Sequence, residues 1–160
     1  MNIVWSPAMA TGIRQIDVQH QELVRMINEM YTAYANGKST DALDEILPRL
    51  TVYALFHFAE EEVLQAQVSE GTPFAEHHQQ EHRSFVTEIQ RLIASRSQQS
   101  DSDLAEVLTL FLSDWLVLHI TGTDRLLGRL LLENSTPHRV DVGFDRPPVV
   151  DTVSRQIDAT

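Results

Sequence analysis

Five histidines and two carboxylates, His20, His57, Glu61, His78, His82, His119 and Asp124, occupy positions where amphipathic helices would carry core residues. Burying such groups without partners costs about 2 to 7 kcal/mol each, so an interior that keeps them has a use for them. Their chemistry is that of metal ligands. His57 and Glu61 stand four apart, as do His78 and His82, so each pair projects from one helix face and can grip an ion together. One His-x-x-x-His is a weak signal; two such pairs with inward His20 and His119 are a much stronger one. Five imidazoles and two carboxylates exceed the four ligands of a tetrahedral zinc, which makes two metals the economical count. Carboxylates can bridge two ions, and a nitrogen-rich set suits iron or another first-row metal over magnesium or calcium. The Glu-x-x-His pairs of ferritin-like di-iron proteins are absent, and only Asp17 precedes a histidine, His20, at that spacing.

Asp124 follows His119 by five residues, which on a continuous α-helix is about 140° around the axis. Thr121, Gly122 and Thr123 are poor helix formers, and an interruption there is expected to swing Asp124 inward.

The positioning elements are read from hydrophobic stripes. A first helix over about 17–36 carries Ile16, Leu23, Ile27, Met30 and Tyr34, with His20 filling the gap. A second over about 40–68 carries Leu43, Leu47, Leu50 and Ala54, then His57 and Glu61, then Leu64 and Val68. A third over about 74–96 carries Phe74, His78, His82, Phe85, Ile89 and Leu92; a fourth from about 103 carries Leu104, Leu108, Phe111, Trp115, Leu118 and His119. Asn36 and Gly37 end the first helix, Ser39 or Thr40 caps the second, and Pro48 should kink it. Short connections at 70–73 and 95–101 favour antiparallel neighbours. The expected fold is all-α, an antiparallel up-down-up-down four-helix bundle over residues 1–133 with an N-terminal arm. In that topology the ligand candidates fall at one end. Residues 134–160 lose the helical stripe and read as a flexible or extended tail, where Val140, Val142 and Phe144 could pack on the bundle or the chain could link to a further domain.

A length of 160 residues suits one domain. The net charge of −11 argues against nucleic acid or an anionic membrane as partner. With no cysteine, disulfides, thiolate nucleophiles and iron–sulfur clusters are excluded. The start shows no signal-peptide pattern, and the apolar run Leu108 to Ile120 is broken and short for a bilayer, so a cytoplasmic protein is expected. No nucleophile turn of the Gly-x-Ser-x-Gly kind occurs. His77, adjacent to His78, and Glu60 and Glu62, adjacent to Glu61, point about 100° off the stripe and read as a solvated face. His138, in the tail, has no assignable role.

In its order and spacing, the set His20, His57-x-x-x-Glu61, His78-x-x-x-His82 and His119-x-x-x-x-Asp124 resembles the signature of hemerythrins, specifically the bacterial ones. Trp5, Gly12-Ile13 through Asp17, Gln19-His20, His57-Phe58 and Trp115-Leu116 add to the likeness, which covers roughly 5–132. The resemblance implies a non-haem, oxo- or hydroxo-bridged pair of iron ions per chain binding O2 reversibly, for storage, transport or delivery, without enzymatic turnover. It implies three histidines, His78, His82 and His119, on one iron, His20 and His57 on the iron open to O2, and Glu61 and Asp124 as bridges. Leu23, Phe58, Trp115, Leu116 and Ile120 would wall a dry O2 pocket. Departures from the family pattern are Gln65, where methionine is common, Thr72 before Pro73, where an aromatic is common, and Leu127, where tyrosine is common. The alternatives are an O2 or redox sensor signalling through the tail or a partner, and a peroxide- or NO-reducing di-iron protein. An oxygen-consuming or signalling protein partner fits either role.

Overall fold

A computed structural model describes residues 2–135, so the tail from 136 onward, with Val140, Val142, Phe144 and His138, lies outside the described residues. Apart from the N-terminal arm and the short connections, the described residues are helical, and four rods form a bundle. The first is α1, Arg14–Ala35. The second runs through α2, Ser39–Asp41, a π-helical turn, Ala42–Ile46, and α3, Leu47–Ser69. The third is α4, Pro73–Ala94. The fourth joins α5, Asp101–His119, through a π-helical turn, Ile120–Asp124, to α6, Arg125–Ser135, and so runs two residues past the expected limit of the bundle. α1 packs on α3 and α5, and α4 packs on the same two, as the short connections predict.

Helix ends follow local chemistry. Gly37, at φ +73°, supplies the left-handed turn after α1. Thr72 caps α4 by accepting from the Ala75 N–H at 3.2 Å, with Pro73 at the first turn, and Ser100 caps α5 by accepting from Asp103 N–H at 3.1 Å. Neither Ser39 nor Thr40 caps the second rod as expected: Ser39 is buried inside it, and the Thr40 hydroxyl donates to Asp101 at 2.8 Å. Pro48 sits in the first turn of α3, directly after the π turn. Its ring would press on the carbonyl of Asp44, four residues back, and the wider π register opens that turn instead of a simple kink.

The arm, residues 2–13, is tied to α1. Asn28 holds the Ile3 backbone from both sides at 2.8 Å, and Asp17 accepts from the Thr11 N–H and hydroxyl at 2.7 and 2.8 Å. Asp17 thus organises the start of α1. Gly128 of α6 meets this arm so closely that a Cβ there would lie 2.4 Å from the Thr11 carbonyl oxygen.

The stripes fill the core as expected, with Ile16, Leu23, Ile27, Met30, Leu50, Ile89, Leu104 and Leu108 buried. Leu118 does not: it is 72 % exposed, because the buried face of α5 runs Leu108, Leu112, Leu116 and His119, about 100° away. The rod Asp101–Ser135 is, by length and composition alone, long and apolar enough to cross a membrane, its most apolar stretch having a mean hydropathy of 1.5. That apolarity exceeds the reading of a run too short to span, since the helix continues through the π turn; its inward face is core and ligand candidates.

Candidate metal centre

Four rods deliver the seven side chains to one end of the bundle. His20 comes from the second turn of α1, His57 and Glu61 from the middle of α3, His78 and His82 from the first half of α4, and His119 from the end of α5. All seven are buried, with His20, Glu61, His78 and Asp124 at 0 % exposure.

Asp124 arrives by a route that corrects the expected interruption. The helix does not break at Thr121, Gly122 and Thr123; it widens into the π turn Ile120–Asp124 and continues as α6. A π register bonds residue i to i+5, so residues five apart come to nearly the same face and Asp124 falls beside His119. Its Oδ1 lies 3.0 Å from His119 Nε2.

The donor atoms form two groups, Glu61 with His78, His82 and His119, and Glu61 and Asp124 with His20 and His57. Asp124 faces both: Oδ2 lies 3.1 Å from His20 Nε2, while Oδ1 lies 3.2 Å from His78 Nε2. Glu61 Oε1 lies 3.6 Å from His20, and Oε2 lies 3.4 to 3.6 Å from His57, His78 and His82. His82 Nε2 and His119 Nε2 stand 3.1 Å apart.

Apart from the His82–His119 contact, these do not pair off as hydrogen bonds. His20 Nε2, His57 Nε2, His78 Nε2 and every carboxylate oxygen of Glu61 and Asp124 lack an aligned partner among the described residues. So many orphaned, fully buried polar atoms aimed at one point are costly as protein alone. Ligand atoms each about 2.0 to 2.2 Å from a common ion lie roughly 3 to 3.6 Å apart, which is the spacing found. The residues present therefore fit cations, and the split of Asp124 between groups fits two.

Contacts at the far ring nitrogens fix how the rings are turned. His57 Nδ1 meets the amide oxygen of Gln19 at 2.8 Å, and His78 Nδ1 meets that of Gln65. His82 Nδ1 meets Glu62 at 3.1 Å, and His119 Nδ1 approaches Glu81 at 3.2 Å, with Glu81 held by the Thr123 hydroxyl at 2.7 Å. Gln19, Gln65 and Glu62 partner the Nδ1 atoms of His57, His78 and His82 and so turn each Nε2 into the cage, while His119 Nδ1 faces Glu81 as an ion-pair contact without an aligned hydrogen bond. Aromatic rings fix the planes: Phe58 stacks on His82 at 4.0 Å and Trp115 on His119 at 4.3 Å.

Gln19, Gln65, Glu62, Glu81 and Thr123 were not identified by their spacing. Glu62 is not simply solvated, being 40 % exposed yet bonded to His82. The available signal was adjacency: Gln19, Glu62 and Glu81 each neighbour a ligand candidate, and a residue about 100° off the inward face reaches the ligand of the next helix. His77 does point outward, 67 % exposed and 3.5 Å from Glu81.

Charge in the cage is divided sharply. Burial lowers the pKa of His20 and His78, but Asp124 and Glu61 outweigh it and raise both to about 9. Burial also opposes the charge on His119, yet Asp124, Glu81 and Glu61 raise it to about 10. His57 goes the other way, to about 4, because burial dominates the pull of Glu61. Burial and mutual repulsion push the two carboxylates up, but the surrounding imidazoles hold Glu61 and Asp124 below the usual carboxylate range.

Of the expected pocket residues, Leu23, Phe58, Trp115 and Leu116 line a cavity of about 10 Å³, while Ile120 is fully buried in the π turn and is not among its walls.

Comparison with known proteins gives a consistent relationship. The family model described as Hemerythrin HHE cation binding domain matches residues 11–131. The chain is 34 % identical over 123 residues to the bacteriohemerythrin of Pseudomonas aeruginosa (strain UCBPP-PA14), covering 77 % of each chain. It is 32 % identical over 124 residues to that of Stenotrophomonas maltophilia (strain R551-3), again 77 % of each. With the bacteriohemerythrin of Clostridium acetobutylicum it shares 32 % identity over 126 residues, 76 % of this chain and 95 % of the relative.

Proposed function

Since the chain belongs to the hemerythrin family, we propose that it binds dioxygen reversibly at two iron ions held by the seven converging side chains. The observation that carries this reading is the donor arrangement: two groups share Glu61, and Asp124 turns one oxygen to each. His78, His82 and His119 would hold one ion and His20 and His57 the other, with both carboxylates between them. Iron bound there supplies redox-linked, reversible capture of O2. An imbalance in ligand number supports the assignment of roles, because the group with two imidazoles leaves more room for an exogenous ligand than the group with three.

The chain's own residues supply the rest. The Nδ1 partners turn each bonded imidazole so that its Nε2 is aimed inward, where a metal would replace any proton it carries. Leu23, Phe58, Trp115 and Leu116 line an apolar cavity whose about 10 Å³ is at the lower limit for one small guest, and its walls are almost wholly apolar. A small apolar molecule loses nothing there, while water loses its hydrogen bonds. Excluding water also limits the proton supply that converts a reversible adduct into an oxidised centre.

The test is optical. Iron-loaded protein, reduced without oxygen, exposed to O2 and then purged, should gain and lose a visible band over repeated cycles. A band that persists after purging, or continued O2 consumption with excess reductant, would replace oxygen binding with irreversible redox chemistry.

A further inference from the structure

The five imidazoles are not backed alike. His82 and His119 are backed by carboxylates, Glu62 at 3.1 Å and Glu81 at 3.2 Å, whereas His57 and His78 are backed by the amide oxygens of Gln19 and Gln65. His20 Nδ1 has no hydrogen-bond partner among the described residues, and the His119 Nδ1 contact with Glu81 is an ion pair without an aligned hydrogen bond, so there the carboxylate acts through its charge. Sorted by donor group, the three-histidine end has two carboxylate partners and the His20–His57 end has none.

We propose that Glu62 and Glu81 are positioning residues that make the His78, His82 and His119 end the tighter of two metal positions. This rests on the two-metal reading given above. A carboxylate accepting an Nδ1–H pushes electron density to Nε2 and strengthens it as a donor, more than a neutral amide does. It also places a full negative charge one ring away from the cation. Glu61 belongs to both groups and Asp124 turns an oxygen to each, so neither singles out one end; the third histidine and the charges of Glu62 and Glu81 fall on one end alone.

The π turn takes part in this. It brings Asp124 to His119, and the preceding Thr123 donates to Glu81 at 2.7 Å, fixing the carboxylate that backs the same imidazole. Exposed His77 lies on the other oxygen of Glu81 at 3.5 Å. Among the described residues Glu62 has no comparable support, and it is 40 % exposed, so Glu81 is the better fixed of the two.

The experiment titrates the metal-free full-length chain with cobalt(II) against a competing chelator, following ligand-field absorption and total bound metal. The wild type should bind two ions in two steps. Glu62→Gln and Glu81→Gln keep shape and remove the charge; each should weaken the first step by about 10- to 100-fold and leave the second unchanged. Gln19→Glu places a carboxylate on His57 and should tighten the second step, narrowing the gap, so the proposal stays testable even if a Glu variant fails to fold. Weakening confined to the second step, equal weakening of both, no change in either Glu variant, or an unaltered second step in Gln19→Glu would each overturn the proposal. A wild type binding fewer than two cobalt ions would instead refute the two-metal reading, which separates the two failures.

Discussion

Loading the cage with metal should expel protons in a number set by its own electrostatics. Within the protein, His20 and His78 are raised to about 9 and His119 to about 10, while His57 is lowered to about 4. At pH 7 the first three imidazoles therefore carry a proton and His57 does not. A metal ligand must present a free lone pair, so filling both positions displaces about three side-chain protons per chain at pH 7. For His20 the difference between about 9 and the ordinary 6.5 corresponds to roughly 3 kcal/mol that metal binding has to exceed. The sign of the pH dependence follows. A raised imidazole stabilises the metal-free fold fully below pH 6.5 and loses that contribution as pH rises through 9 to 10. Proton release on loading should accordingly fall away above pH 10. The assay is calorimetric titration of metal-free protein with zinc(II) in buffers of different ionisation enthalpy. Asp124 leads the groups raising all three histidines, so Asp124→Asn should reduce the release at pH 7 by about one proton or more. Release below one proton in the wild type, or an unchanged value in Asp124→Asn, would refute the reasoning.

Leu116→Ala enlarges the apolar cavity beside Phe58 and Trp115; it should cost about 3 to 5 kcal/mol in denaturant unfolding and shorten the lifetime of the oxygenated form, and an unchanged lifetime would remove the water-excluding role. Gly128→Ala should destabilise by about 1 to 3 kcal/mol, because its Cβ would press on the Thr11 carbonyl oxygen; helix propensity alone gives the opposite sign, so a stabilised variant would contradict the close approach. Glu81 is lowered to about 2 chiefly by its contact with His119, and its contribution to the metal-free fold should be present above pH 4.5 and lost as pH falls toward 2, which acid titration of Glu81→Gln beside the wild type will read.

Much of this site was legible from residue order because its pieces obey simple periods. His57 and Glu61, like His78 and His82, are one α turn apart, and the stripes of Leu and Ile around them give helix face and height together. Asp124 was readable only as a contradiction, inward in role but about 140° off on an α-helix. Propensity suggested a break at Gly122, yet hydrogen-bond register is chosen by tertiary demand, and packing of Leu127 and Leu131 below the turn keeps the rod continuous. The turn before Pro48 escaped prediction for a related reason, since a missing N–H does not say whether a helix kinks, splits or widens. Glu62, Glu81 and the two glutamines act across helices, and no period along one helix reports which ligand on its neighbour a flanking side chain will meet.

The central claim is that seven side chains from four rods hold two ions with Asp124 between them. Anomalous diffraction at the iron edge from crystals of the iron-loaded protein tests it most directly. The account predicts two peaks, one against His78, His82 and His119 and one against His20 and His57, with Asp124 and Glu61 touching both. A single peak, or a pair of peaks that Asp124 does not join, would contradict it.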